Sequence, residues 1–294
     1  MSRHGHERPR RRREADDVPL MLSAEMRAEA ALVRRRSRRF DAAVLEDAAA
    51  TGATADADVL RRLRDEPIRG MGRVVYSSNA VFLVEFDGPD PTHPDQPLRA
   101  IYKPARGERP LWDFPRQTLH MREAAAYVVS AALDDGLVPA TTLRDGPHGP
   151  GSVQLFIHAA EESDAEQATG LEDRLRSLAA LDVLINNADR KRAHLLLGDD
   201  GHLRGIDNAL SFLPYPRQRT VLIQLGGEPL PPAVVARVRS LAADTTRRSQ
   251  LDSRLGRLLD ADEVAAFSER LDALAADPVY PSLDPWDGRP FEWW

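Results

Sequence analysis

Two lysines, Lys103 and Lys191, stand in a chain of 294 residues whose 40 basic side chains are otherwise all arginine. A chain so biased uses arginine wherever charge alone is wanted. Lysine persists where a slim point charge is needed instead of a planar fork, and phosphate contact is one such place. Lys103 closes Ala100-Ile101-Tyr102-Lys103-Pro104, which reads as the end of a strand, and Glu123 follows on the next helix. A strand lysine paired with a helix glutamate and reaching phosphate oxygens is what kinase-type phosphoryl transfer requires. Lys191 lies in Asn186-Asn187-Ala188-Asp189-Arg190-Lys191-Arg192-Ala193-His194. Here Asp189 would accept or orient an attacking hydroxyl, Lys191 would neutralise the moving phosphoryl group, and His194 would hold a metal. Gly205-Ile206-Asp207-Asn208 then places Asp207 at the end of a short strand. It is the natural chelating acid, because Mg²⁺ prefers one or two carboxylates plus phosphate oxygens. Upstream, Ser77-Ser78-Asn79 is a turn of small residues after Gly72, and its N–H groups and hydroxyls can sit over phosphates.

Each motif has a plainer reading when taken alone. Residues 77–79 suit an ordinary hairpin turn, Lys103 and Glu123 a solvated surface pair, and 186–194 a charged helix-to-strand connection. The ordered set, with both lysines inside it, favours phosphoryl transfer.

The elements that must position these residues follow from periodicity and punctuation. Residues 1–19 read as a disordered basic tail, and 20–65 as a helical extension with a second short helix near Asp58 to Arg64. Residues 66–158 form a strand-rich lobe with one helix. Its strands are Arg73 to Tyr76, Ala80 to Phe86, Leu98 to Tyr102, Thr141 to Leu143 and Ser152 to Ile157, and its helix is Leu119 to Leu133. Residues 159–294 form a mostly helical lobe. The stretch Glu161 to Glu166 reads as a loop, and Leu171, Leu175, Leu178, Leu181 and Ile185 recur at helical spacing. A hairpin turns at Asp200-Gly201, residues 217–276 read as mostly helical, and the tail carries Trp286, Trp293 and Trp294, expected to pack on that lobe, with a partner site as the alternative. This order is α+β and two-lobed.

Composition narrows the classes further. Hydrophobic residues make up 42% and charged residues 29%, which excludes wholesale disorder. Cysteine is absent, so disulfides, thiolate metal sites and cysteine nucleophiles are excluded. Residues 1–40 carry 12 Arg against 6 acids, while the remainder is acidic enough to leave the chain at −6. An acidic body argues against nucleic acid as partner. No apolar run reaches membrane-helix length, and the expected compartment is cytoplasmic.

The chain resembles the phosphatidylinositol 3- and 4-kinase-like proteins of actinobacteria, an atypical kinase group. The resemblance is carried by Ser78-Asn79-Ala80-Val81-Phe82, Tyr102-Lys103-Pro104, the run Arg106 to Pro115, Arg122-Glu123-Ala124-Ala125-Ala126-Tyr127, Gly136-Leu137-Val138-Pro139, Asn186 to Lys191 and Gly205-Ile206-Asp207. It implies a two-lobed, protein-kinase-like or lipid-kinase-like fold and transfer from ATP, with Mg²⁺ or Mn²⁺, to a hydroxyl-bearing small molecule or protein. Lys103 would be the nucleotide lysine, Glu123 its partner, Asp189 the catalytic aspartate and Asp207 the metal aspartate. HipA-type protein kinases share a similar Asn-x-Asp core and supply one alternative. A pseudokinase that binds nucleotide or acts as a scaffold supplies another. Here His194 stands where eukaryotic lipid kinases carry Asn, and Asp207-Asn208-Ala209 lacks their Phe-Gly. Asn208 to Pro216 contains no Lys or Arg to meet an inositol phosphate headgroup.

Overall fold

A computed structural model describes residues 54–74, 79–133, 135–160 and 170–290. The basic tail 1–19, residues 20–53 of the helical extension, Ser77, Ser78, the acidic stretch 161–166, Trp293 and Trp294 lie outside the described residues. Helix α1 (Thr54–Asp65) is followed by strands β1 (Ile68–Arg73), β2 (Phe82–Pro89) and β3 (Pro97–Pro104), then by helix α2 (Leu119–Leu133) and strands β4 (Thr141–Gly146) and β5 (Gly149–Leu155). The five strands form one antiparallel sheet in the order β1-β2-β3-β5-β4. Strand β3 shows the period-two logic: Leu98, Ala100, Tyr102 and Pro104 are buried, while Arg99, Ile101 and Lys103 occupy the opposite face.

The first strand differs from expectation. It spans Ile68–Arg73, so it starts five residues before the expected Arg73 and takes in Gly72, which lies opposite Leu83, while Val75 and Tyr76 lie outside the described residues. Two glycines and two arginines on an exposed edge strand carry no alternating apolar signal, so pairing with β2 decides its place.

Helix α2 is buried on nearly every side, including Ala124, Ala125, Ala126, Val128 and Val129. That is the pattern of a helix enclosed on all sides, and α2 packs against β4, β5 and the helices of the second lobe. Its polar residues are matched individually. Arg122 donates to the Ser211 carbonyl at 2.6 Å and pairs with the buried carboxylate of Glu263, while Glu108 accepts the His120 N–H at 3.0 Å.

The helical lobe contains α3 (Leu171–Ile185), a hairpin of β6 (Leu195–Leu197) and β7 (Leu203–Gly205), and helices α4 (Pro232–Ala243), α5 (Thr245–Leu255) and α6 (Ala261–Ala276). Asp244 caps α5 by accepting two backbone N–H groups, and Asp260 with Glu263 forms a capping box on α6. Residues 217–231 are irregular apart from one 3-10 turn, because glycines and prolines interrupt them. Trp286 is 89% exposed, which corrects the expectation that it packs on the lobe. Tyr280 provides the packing instead; it is buried, and its hydroxyl donates to the Arg176 carbonyl at 2.6 Å. Among the described residues no helix is long and apolar enough to cross a membrane.

Candidate active site

Lys103 reaches out of β3 to two carboxylates from different parts of the chain. Its Nζ donates to Glu123 Oε2 on α2 at 2.9 Å and to Asp207 Oδ1, just after β7, at 2.9 Å. Glu123 is fully buried, whereas the Asp207 side chain is 52% exposed. Burial alone would lower the Lys103 pKa, but Asp207 and then Glu123 outweigh it and hold the ammonium protonated well above its ordinary range. Lys103 in turn holds Asp207 well below the usual carboxylate range, against the partial desolvation of its carboxylate in the cleft. The cleft therefore presents an ionised carboxylate beside a permanent cation.

The backbone sets this geometry. Asp207 has φ 56°, a left-handed conformation uncommon for a residue with a Cβ. Its neighbours hold it there: Ile206 N–H donates to the His194 carbonyl at 3.0 Å, and Asn208 N–H donates to Glu123 Oε1 at 3.0 Å. Gly205 is required by close approach, since a Cβ there would lie 2.6 Å from Leu178 Cδ1 and 3.1 Å from an Arg190 nitrogen.

Beneath lies a buried polar network. The fully buried Arg190 guanidinium forks onto the fully buried Asp182 of α3, with Nε to Oδ2 at 2.9 Å and Nη2 to Oδ1 at 2.8 Å. The same Nη2 donates to Asn208 Oδ1 at 2.6 Å, and Nη1 donates to the Ile206 carbonyl at 2.9 Å. Asn187 Nδ2 also donates to Asp182, at 3.0 Å. A continuous path thus runs from α3 through Arg190 and Asn208 to Glu123 and Lys103. Arg190 is a positioning residue; Asn208 stood in the Gly205 to Asn208 motif without a role, and Asp182 and Gln154, which donates to Glu123 Oε1 at 3.4 Å, did not emerge from the motifs. One signal was available: Asp182 interrupts the apolar face of Leu178, Leu181 and Ile185, and a charge there needs a buried partner.

The loop after α3 carries Asp189, Lys191 and His194. Asn186, at φ 51°, ends the helix, and Asn187 Oδ1 accepts the Asp189 N–H at 2.9 Å. Lys191 Nζ donates to Asp189 Oδ2 at 2.8 Å. Burial pushes the Asp189 carboxyl above its ordinary range, and Lys191 opposes that shift. His194 Nε2 lies 3.4 Å from Asp207 Oδ2, and Nδ1 is 3.4 Å from the Lys191 N–H. Burial lowers its pKa despite the pull of Asp207, so the ring is neutral at pH 7. Lys103, Glu123, Asp207 and His194 thus meet in one cluster. Asn79 turns to a different partner: its Oδ1 accepts the Arg109 N–H at 2.9 Å, tying the β1–β2 connection to the segment after β3. There, Gly107 has no room for a Cβ, which would fall 2.3 Å from Ala80 Cβ. A separate cavity of about 1010 Å³ opens in the helical lobe, lined by Asn186, Arg217, Glu269 and Arg270 among others.

A five-stranded sheet joined to a helical lobe, with the lysine and its carboxylates between them, defines a two-lobed kinase-like α+β fold. The same fold occurs in the structure of hydra Fam20 with sugar, at TM-score 0.54 and 16% identity over 74% of this chain and 86% of that one. It also occurs in the Golgi casein kinase with Mn/ADP bound, at TM-score 0.51 and 14% identity over 75% and 74% of the two chains. No family model matches the sequence. The chain belongs to the family of Protein Rv2133c of Mycobacterium tuberculosis, to which it is 36% identical over 267 residues, covering 79% of this chain and 93% of the relative.

Proposed function

We propose that this protein is an ATP-dependent phosphotransferase of the phosphatidylinositol 3/4-kinase-like group, moving the γ-phosphoryl group to a hydroxyl acceptor. The observation that carries this reading is Lys103, whose Nζ lies 2.9 Å from both Glu123 and Asp207. A lysine poised between a buried glutamate and a cleft aspartate is arranged to meet phosphate oxygens while the aspartate meets their metal. Asp207 offers the carboxylate oxygens that Mg²⁺ or Mn²⁺ takes, and the neighbouring His194 a nitrogen that Mn²⁺ accepts more readily; such an ion would supply charge neutralisation on the nucleotide phosphates. Asp189, with its raised pKa, orients the acceptor hydroxyl and receives its proton, and Lys191 steadies that carboxylate and faces the transferred group. Ser77, Ser78 and Asn79, which the chain order places between β1 and β2, are assigned to the phosphates for their small side chains, hydroxyls and N–H groups. The segment Asn208 to Pro216 carries no cation, so the acceptor is a small-molecule or protein hydroxyl, not a phosphorylated inositol headgroup.

One observation favours a second reading, a pseudokinase. Lys103 occupies Asp207 Oδ1 and His194 faces Oδ2, so protein groups address both oxygens a metal would use. Incubation with ATP labelled separately at the α and γ positions, followed by mass spectrometry of the protein and of a lysate, decides between them. Transfer of γ label that disappears in Asp207→Asn supports the phosphotransferase. Thermal stabilisation by nucleotide and metal without any turnover supports the pseudokinase, and transfer of α label would make the enzyme an AMP transferase.

A further inference from the structure

Three chain segments outside the lysine–aspartate site converge on a second cluster of ligand-type side chains. The β2–β3 connection brings Asp90 and His93, the segment leaving β5 brings His158, and the β6–β7 turn brings Asp199. The donor atoms of Asp90, His93 and His158 all lie within 4.8 Å of one another. His93 Nδ1 is 3.7 Å from Asp90 Oδ1, and His158 Nε2 is 3.9 Å from Asp90 Oδ2. Four donors around Zn²⁺ at its usual bond lengths stand about 3.3 Å apart, so the set would draw in by up to about 1.5 Å to close around an ion, and the His93 and His158 rings, whose centroids are 3.9 Å apart, would turn to aim at it.

Two further observations point to a ligand. His158 Nε2 is sealed from solvent and has no hydrogen-bond partner, yet it faces the buried carboxylate of Asp90. A buried polar atom left unpaired is costly, and a cation between it and Asp90 removes the cost. Second, His93 Nε2 lies 2.7 Å from Asp199 Oδ2. A carboxylate on Nε2 fixes the tautomer that leaves Nδ1 without a proton, and metal-binding histidines are oriented in this way; Nδ1 lies 2.9 Å from Thr92 Oγ1, a contact the ion would displace. Thr92 Oγ1 and the N–H groups of Thr92 and His93 all converge on Asp90 Oδ1, fixing the carboxylate that faces both rings.

We infer that Asp90, His93 and His158 bind one Zn²⁺-class divalent cation, with Asp199 positioning His93, and that this ion fastens the β2–β3 connection to the segment leaving β5 where it meets the β6–β7 turn. Two histidine nitrogens and one carboxylate, with a fourth position for water, form a donor set typical of zinc. The fastening follows from topology. Ala159 bridges to Gly198, and Asp199 N–H donates to the His158 carbonyl at 2.9 Å, so the segment leaving the sheet already lies on the β6–β7 turn. The ion would add the β2–β3 connection to that junction.

The full chain, stripped of metal with a chelator, is titrated with Co²⁺ and monitored by visible absorption. One equivalent giving the intense band of tetrahedral cobalt, displaced by one equivalent of Zn²⁺, is expected. His158→Gln and His93→Gln should abolish the band while circular dichroism stays native. Asp199→Asn should keep the band with roughly 10- to 100-fold weaker binding. Asp207→Asn should leave it unchanged, which separates this site from the nucleotide cleft. The absence of the band in folded wild-type protein, its survival in His158→Gln or its loss in Asp207→Asn would each overturn the assignment. Amide exchange over residues 156–160 should slow on Zn²⁺ saturation; an unchanged rate would refute the fastening of this segment to the β2–β3 connection.

Discussion

Glu123 accepts the backbone N–H of Asn208 at 3.0 Å on one carboxylate oxygen and holds Lys103 with the other. Asn208 follows Asp207 directly and also binds Arg190, so the glutamate fixes the lysine and the turn that presents Asp207 together. The cleft is assembled by one buried polar network, and loss of any member should be felt at the others.

Asp182→Ala tests that network at its far end. It would leave the guanidinium of Arg190 buried without its carboxylate, and breaking a buried pair from one side costs about 3–5 kcal/mol. Urea denaturation should show a fall of that order, with a smaller loss for Asp182→Asn, which keeps a hydrogen-bond acceptor. A loss below about 1 kcal/mol in Asp182→Ala would mean that water replaces the carboxylate and that the pair is not structural.

At Lys103, charge conservation should not rescue function. The ammonium donates to two carboxylates from a single nitrogen, and a planar guanidinium cannot place one nitrogen in the same position. Phosphoryl transfer by Lys103→Arg should fall nearly as far as that by Lys103→Ala. Retention of most activity would show that lysine is at this position by chance of composition.

Asp189→Ala and Asp207→Ala should each abolish transfer and leave the fold intact. Both carboxylates face the cleft and touch the network through a lysine, Lys191 for Asp189 and Lys103 for Asp207, and functional-site acids are often neutral to stability. Turnover equal to wild type at matched folded protein, measured with γ-labelled ATP, would remove the assignment of whichever residue was changed.

A pH effect is expected away from the cleft, at Asp135. Burial raises its carboxyl to about 6, although the Ser130 hydroxyl and the Leu137 N–H bind it. The folded pKa lies above the unfolded value, so the unfolded chain gives up this proton first. The stability it contributes is complete below about pH 4 and is lost as pH rises to about 6. A rise of about 2 pKa units corresponds to a loss of roughly 2–3 kcal/mol at neutral pH. Comparing urea midpoints of wild type and Asp135→Asn at pH 4.5 and 7 isolates this group. The variant should lack that part of the decline, and parallel behaviour of the two proteins would show that Asp135 titrates normally.

The sequence disclosed the site residues that carry unusual chemistry and concealed those that hold them. Lys103 and Glu123 could be read because lysine is scarce in this chain and because strand and helix patterns placed them on successive elements. The partnership of Asp182 with Arg190 could not be read, since an ion pair across eight residues of helix and loop leaves no periodic trace. The start of strand β1 at Ile68 escapes the local pattern for a related reason. Its glycines and arginines carry no alternation, and only pairing with β2 defines it. The order in which β5 inserts between β3 and β4 depends likewise on long-range pairing that local pattern does not encode.

His194 decides the metal preference of the cleft. Its Nε2 is 3.4 Å from Asp207 Oδ2, and its ring is neutral, so a nitrogen donor stands beside the chelating carboxylate. Mg²⁺ is hard and favours oxygen in a near-ideal octahedron, which a nitrogen ligand disfavours. Mn²⁺ accepts imidazole more readily and binds weakly enough to exchange during turnover. To ligate through Nε2 the ring must carry its proton on Nδ1, which means giving up the Lys191 N–H at 3.4 Å, a contact at the long limit of a hydrogen bond. That concession is small, so Mn²⁺ should support transfer at least as well as Mg²⁺. His194→Asn, which substitutes an amide oxygen, should shift the preference towards Mg²⁺. Titrating both metals against both proteins measures the shift. If the two proteins rank the metals identically, His194 keeps its proton on Nε2 and acts by donating to Asp207.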